Sequence, residues 1–313
     1  MKRGFESIDN EIDRSNNDIS NGNSQPQTSW IFLEECFLIK SPSRKAMNLE
    51  QDLKTREAIH DFIIKLGTQL RVDGRTILAA TIYLNRFYMR LPITSSKYFV
   101  ASAAMSISCK LNDTYRPPEK IALVACTIKN PRITVDTQSE IYWQWRDQLL
   151  FREELMLKNL NFDLDIELPY EIRNEIVEKE TEEIENKKRD DDEEKSTFDK
   201  NEVDILKQTV SLTEMLSSLP IFVAYNMRQV FGCCLIIVLH EGSKKFKWDI
   251  QLPSDYLKYK VDVDVEGCFK CFSYIHVLLK HCLSKHPQLL SHKPLIKRIP
   301  QLSREEFFKY ANV

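Results

Sequence analysis

The stretch Y-F-V-A-S-A-A-M-S-I-S-C-K-L-N-D-T-Y-R-P-P-E-K, Tyr98 to Lys120, decides how the chain folds. Ala101, Ser102, Ala103, Ala104, Ser106 and Ser108 leave little side-chain bulk on any face of a helix here, so neighbours can approach it from several sides. Such a helix belongs in the middle of a bundle. Its charge, Lys110, stands at the far end and needs either water or a carboxylate, because a buried, unpaired ammonium is expensive. A polar turn and the pair Pro117-Pro118 follow.

Outward from this centre the pattern stays helical. Upstream, Leu53, Ala58, Ile59, Phe62, Ile63, Leu66 and Leu70 recur at helical spacing from Leu49 to Leu70, and Asp73-Gly74 punctuates them. A second helix is expected from Thr76 to Met89, stopped by Pro92, and Thr94 can cap the central one. Downstream, Ile121 to Ile128 form a shorter helix, and a long one starts at Val135 or Thr137 and runs to Asn161. On that long helix Trp145, Leu149, Glu153, Leu157 and Leu160 share one stripe, which places a carboxylate in an apolar row. Lys110 and Glu153 are therefore each other's most economical partner.

Composition narrows the class. The 313 residues are 42% hydrophobic with only 7 glycines, which suits two helical domains with real cores. A net charge of -2 gives no global electrostatic case for binding nucleic acid or an anionic membrane. The 8 cysteines (Cys36, Cys109, Cys126, Cys233, Cys234, Cys268, Cys271 and Cys282) lie mostly inside apolar helical stretches, which reads as reduced core thiols. No apolar signal core opens the chain, and the run from Phe231 to Leu239 is far short of the about 20 residues that span a bilayer. A soluble intracellular protein is expected.

Residues 1–28, rich in Asn, Ser, Asp and Gln, have no period and read as disordered. Trp30 to Ile39 reads as a short helix with Trp30, Leu33 and Phe37 on one stripe, ended by Ser41-Pro42-Ser43-Arg44. In the second half, Leu168 to Val177 opens a helix that dissolves into a charge run, and the K-K-R at Lys187 to Arg189 is a weak nuclear-import signal. Helices resume at Val203 to Leu219 and Met227 to Leu239, while residues 243–262 keep little helical pattern. Cys268, Cys271, His276, His281 and Cys282 tempt a zinc reading. They fit one amphipathic helix better, since zinc ligands usually come as two well-separated pairs. No phosphate loop, nucleophile elbow or paired carboxylates point to catalysis, and no cofactor is expected.

The small-residue helix ending in Lys110 before Pro117-Pro118 resembles the cyclin box, as does E-E-L-M-L-K-N-L-N-F-D-L, with its glutamate at Glu153. Y-L-N-R-F-Y-M (Tyr83 to Met89), S-P-S-R and G-T-Q-L-R-V (Gly67 to Val72) are similar to transcription cyclins of the K and T types. The resemblance covers residues 30 to about 170. It implies an all-α fold of two tandem cyclin boxes, each a five-helix bundle, the second divergent with an acidic insert. The expected segments are a tail at 1–28, the helix and turn at 29–48, the first box at 49–164, the second at 165–283 with its insert near 178–200, and a tail at 284–313. Asn85 stands where many cyclins have an aspartate facing an arginine, here Arg56, so a strong ion pair on the first helix is not expected.

The resemblance further implies a non-catalytic regulatory subunit that activates a cyclin-dependent kinase, with no cofactor and no metal. Lys110 and Glu153 would meet the kinase, on an apolar floor of Ile107, Leu111, Leu157, Phe162 and Leu164. The eroded second box and the acidic insert resemble the cyclin subunits of fungal kinases that phosphorylate the C-terminal repeat domain of RNA polymerase II. Partners would be the kinase catalytic subunit, with room for a third, gamma-type subunit, and the polymerase repeat domain as substrate of the complex. No membrane and no direct nucleic-acid contact are expected, and the location is nuclear with a cytoplasmic share left open. Two other readings remain open: a helical scaffold, and a general transcription factor like TFIIB, which would carry a zinc ribbon and a basic surface.

Overall fold

The computed structural model describes residues 30–187, 197–246, 250–282 and 293–312. The expected tail at 1–28, Lys188 and Arg189 of the K-K-R triplet, and the core of the charge run lie outside them. Among the described residues all regular structure is helical, in two bundles each built round one central helix.

The first bundle holds α2 (Leu49–Leu70), α3 (Gly74–Arg90), α4 (Lys97–Leu111), α5 (Pro118–Lys129) and α6 (Glu140–Asn159). Asn48 and Gln51 form a capping box at the start of α2, and the Asp73 carboxylate accepts from Thr76 N–H at the start of α3. The small-residue helix α4 touches all four others, and Ala101, Ala103 and Ala104 are fully enclosed. Close packing recurs at Gly67 of α2, where a Cβ would stand 2.6 Å from Ile77 on α3.

The second bundle comprises α7 (Pro169–Lys187), α8 (Thr197–Leu216), α9 (Met227–Phe246), α10 (Val265–Cys282), α11 (Lys293–Arg298) and α12 (Arg304–Ala311). Here α9 is central, packed by α7, α8, α10 and α12. Several expectations change. α7 runs on to Lys187 instead of dissolving near Val177, and α8 starts at Thr197. A π-helical turn spans Leu257–Val261 within the stretch read as irregular. The segment read as a C-terminal tail is part of the core: Leu295, Ile299, Phe307 and Ala311 are buried in it, and Leu252 N–H donates to the Tyr310 carbonyl. All eight cysteines are free, and Cys268, Cys271 and Cys282 face the core from α10.

The N-terminal segment joins the bundles. Helix α1 is confined to Glu34–Leu38, and Leu33 before it has an extended backbone, so it points to solvent instead of sharing a stripe with Trp30 and Phe37. Phe32 N–H donates to the Val223 carbonyl at 2.7 Å, and Phe37 enters the second core beside Leu53, Leu78 and Ile82 of the first bundle. Arg44, in the 3-10 turn Pro42–Lys45, reaches Asp52 at 2.7 Å. Asp52 also holds Arg56 at 2.6 Å, and Arg56 donates to Asn85 at 2.7 Å. The first helix thus has a buried ion pair after all. Asp52, one turn before Arg56, takes the role that Asn85 cannot.

Candidate docking face

At the C-terminal end of α4, Lys110 donates to Oε1 of Glu153 on α6. The Lys110 side chain is 41% exposed and that of Glu153 12%, so the carboxylate is seated and the ammonium faces out. An ammonium has three donors, and this contact uses one. The other carboxylate oxygen of Glu153 is enclosed without a partner. α4 ends in a polar turn at Asn112 and Asp113, and Lys110, Leu111 and Asp113 are exposed at this corner.

Apolar side chains surround the pair. Leu111 is 49% and Phe162 66% exposed, Leu157 and Leu164 are half-buried, and Ile107, 3% exposed, lies in the core beneath them. Ile107 therefore supports the floor and does not form its surface. Asn161 and Phe162 follow α6 in consecutive left-handed conformations, φ 52° and 55°, with Phe162 N–H donating to the Leu157 carbonyl at 3.0 Å. A bulky residue held there carries strain of about 1–3 kcal/mol. The result is a phenyl ring turned to solvent.

The residues after this turn are pinned. Trp30 Nε1–H donates to Asp163 at 2.9 Å, and the Tyr83 hydroxyl donates to the Leu164 carbonyl at 2.8 Å. Burial pushes the Tyr83 phenol up to about 12, so it stays a donor. Phe162 is thus presented from a fixed strap, not from a loose loop.

The face extends beyond the residues that sequence reasoning named. Helical geometry puts Arg146, Leu150 and Trp143 on the same side of α6 as Glu153. Leu150 is 39% and Trp143 47% exposed, and the Arg146 guanidinium lies 5.2 Å over the Trp143 ring. Trp143 and Leu150 stand seven residues apart in W-Q-W-R-D-Q-L-L, a signal masked by the buried stripe of Trp145 and Leu149 on the same helix. α6 itself is shorter at its start than expected, with Ser139 as its N-cap residue. α4 likewise has Ser96 at its N-cap, and Thr94 bonds to Ser96 instead of capping the helix.

Among the described residues no group of three or more His, Cys, Asp or Glu side chains could hold a metal ion, and no helix there is long and apolar enough to cross a membrane.

Residues 29–165 match the family model described as cyclin, N-terminal domain. The chain is 31% identical over 150 residues to cyclin pch1 of Schizosaccharomyces pombe, covering 47% of this chain and 44% of that protein. It is 33% identical over 147 residues to human cyclin-T1, covering 45% of this chain and 20% of the relative. The chain thus spans less than half the length of these curated relatives. A chain of the yeast RNA Pol II CTD kinase CTDK-1 complex shares the fold with a TM-score of 0.56 at 13% identity, over 90% of this chain and 81% of that one. The matched sequence ends with the strap after α6, whereas the shared fold continues through the second bundle. Residues 29–165, the first bundle with the segment before it, are thus similar to the cyclin N-terminal domain, and the sequence likeness is to cyclins of the pch1 and T1 kind.

Proposed function

We propose that this chain is a transcription cyclin, the regulatory, non-catalytic subunit of a transcription-type cyclin-dependent kinase that phosphorylates the C-terminal repeat domain of RNA polymerase II and so promotes elongation. The observation that carries the reading is the corner at Lys110 and Glu153. A seated carboxylate holds a solvent-facing ammonium with donors to spare, beside a phenyl ring exposed at the cost of backbone strain. Such a corner suits the backbone carbonyls and apolar side chains of a partner.

Kinase chemistry explains why a docked partner matters. Phosphoryl transfer needs a glutamate of a mobile kinase helix to pair with the lysine that positions ATP, and activation consists of holding that helix inward. Lys110, Leu111, Phe162, Leu157 and Leu164, with Leu150 and Trp143 at the flank, are the residues assigned to hold it. Ile107 backs them from the core.

The kinase is of the kind found in the fungal CTD kinase I complex, with this chain in the place of its cyclin, or beta, subunit. A gamma-type third subunit and a nuclear site of action go with that reading. The test is to co-purify the kinase and assay it on polymerase repeat peptides with Lys110→Ala and Glu153→Ala. Both variants should fold and fail to activate, with a loss of about 2–5 kcal/mol in the complex from the partner group left unpaired. Full kinase activity with both variants would refute the assignment.

A further inference from the structure

The two bundles and the N-terminal segment enclose a cleft away from Lys110. One part holds about 1210 Å³ and is lined by Ile31 to Glu35, Tyr225, Arg228 and Asp262. An adjoining part of about 310 Å³ shares Ile31, Glu167, Tyr225 and Asn226 with it and reaches Arg86 and the apolar side chains of Ile82, Phe222 and Met227.

The charges of the cleft are lopsided. Glu34, Glu35, Asp165, Glu167, Glu171 and Asp262 face it against Arg86 and Arg228. Six carboxylates against two guanidiniums leave four negative charges, whereas the whole chain has a net charge of only -2. Arg228 is already taken up by Glu167 at 2.6 Å and Glu175 at 2.9 Å. Arg86 is not. It is 7% exposed and makes one hydrogen bond, from Nη1 to the Asp165 carbonyl at 3.2 Å, while its Nε–H is enclosed with no acceptor. A buried guanidinium with unused donors calls for an acceptor. Among so many carboxylates that acceptor is a neutral carbonyl oxygen, since an added carboxylate would be repelled.

A backbone carbonyl, an apolar side chain for the floor and basic side chains for the rim together describe one kind of ligand. We propose that this cleft is a docking groove for an extended basic peptide segment of a partner protein, separate from the kinase-facing corner. In it a backbone carbonyl accepts from Arg86, an apolar side chain rests on Ile82, Phe222 and Met227, and lysines or arginines meet the acidic rim. The groove does not depend on the kinase assignment, because no residue is shared with that corner.

Fluorescence anisotropy on the full chain tests it, with a short labelled peptide alternating Lys or Arg with Leu or Val. Binding should weaken as salt is raised. It should be lost when Glu replaces the basic residues or Ser the apolar ones. Asp165→Lys combined with Glu35→Lys, both exposed, should weaken it about tenfold or more, and Glu119→Lys on α5 should leave it unchanged. Hydrogen exchange on the unmodified protein should show peptide-dependent protection at residues 163–168 and 222–227. Equal binding of the acidic peptide, an undiminished rim variant, or protection confined to other regions would overturn the proposal.

Discussion

The two central helices solve one packing problem with different side chains. In α4, alanines and serines let α3 and α6 come close, and the helix ends in an open turn with Lys110 held by Glu153. In α9, Phe231, Cys233, Cys234, Leu235, Ile236 and Ile237 fill the space themselves, and α11 and α12 cover the helix at His240 and Glu241, ahead of the exposed Lys244 and Lys245. The His240 ring lies edge-on to Tyr310 of α12 at 5.3 Å, and Arg298 at the end of α11 stands 3.9 Å from Glu241. The second bundle thus covers the late turns of its central helix with its own chain. The first bundle leaves the Lys110 corner of α4 exposed.

Removing the cover from α9 should have the largest effect. Phe307 is fully enclosed among Phe269, Phe272 and Phe308. Phe307→Ala should cost about 3–5 kcal/mol, read as a lower urea midpoint with an unchanged slope. A cost under about 1 kcal/mol, the range of an ordinary surface change, would mean that α12 does not seal the second bundle.

Side-chain size in α4 comes next. Ala104 has no space around it, so Ala104→Leu should cost about 1–3 kcal/mol through overpacking against its neighbours. A neutral outcome by thermal melting would show that the close approach is not what α4's composition is for.

The fold was legible where one helix face repeated over several turns. α2, α3, α6 and α10 follow from periodicity because each has enough apolar positions to define a stripe, and α4 follows from its run of alanines and serines. α12 was missed because R-E-E-F-F-K-Y-A offers only two turns, in which Phe307 and Ala311 are too few to stand out from a polar tail. Leu33 falls off the expected stripe because the helix begins only at Glu34 and Leu33 itself is extended. At the candidate corner, Lys110 and Glu153 could be named because each charge interrupted an apolar pattern. Asp52 could not be, since it sits at a helix start where acidic residues are ordinary. Its burial comes from Arg44, which only the folded turn brings near.

A smaller, pH-dependent effect should also separate the bundles. Burial, reinforced by Lys244, holds the His240 imidazole below its ordinary value, and burial does the same for His276. Both rings are more readily protonated in the unfolded chain. Their contribution is therefore complete above about pH 6.5, the unfolded value, and is lost as pH falls through it toward the folded one. Burial raises Glu167 and Glu241 instead, and these act in the opposite sense nearer pH 4.5. Melting temperature should thus fall from pH 7 to 5.5, and His240→Leu should flatten the decline. An identical slope in the variant would remove His240 as its source.

The smallest effect on stability is expected where the effect on function is expected to be largest. Lys110 and Glu153 form a pair open to water on one side, and such pairs contribute about 0–1 kcal/mol. Lys110→Ala should therefore leave the urea midpoint of the isolated protein nearly unchanged, while it abolishes kinase activation. The contrast is informative because a structural ion pair would show the reverse order: a group needed for the fold loses stability first and function as a consequence. If Lys110→Ala lowers stability by several kcal/mol, the pair closes the end of α4 much as α12 closes α9, and the first bundle has no spare corner for a kinase.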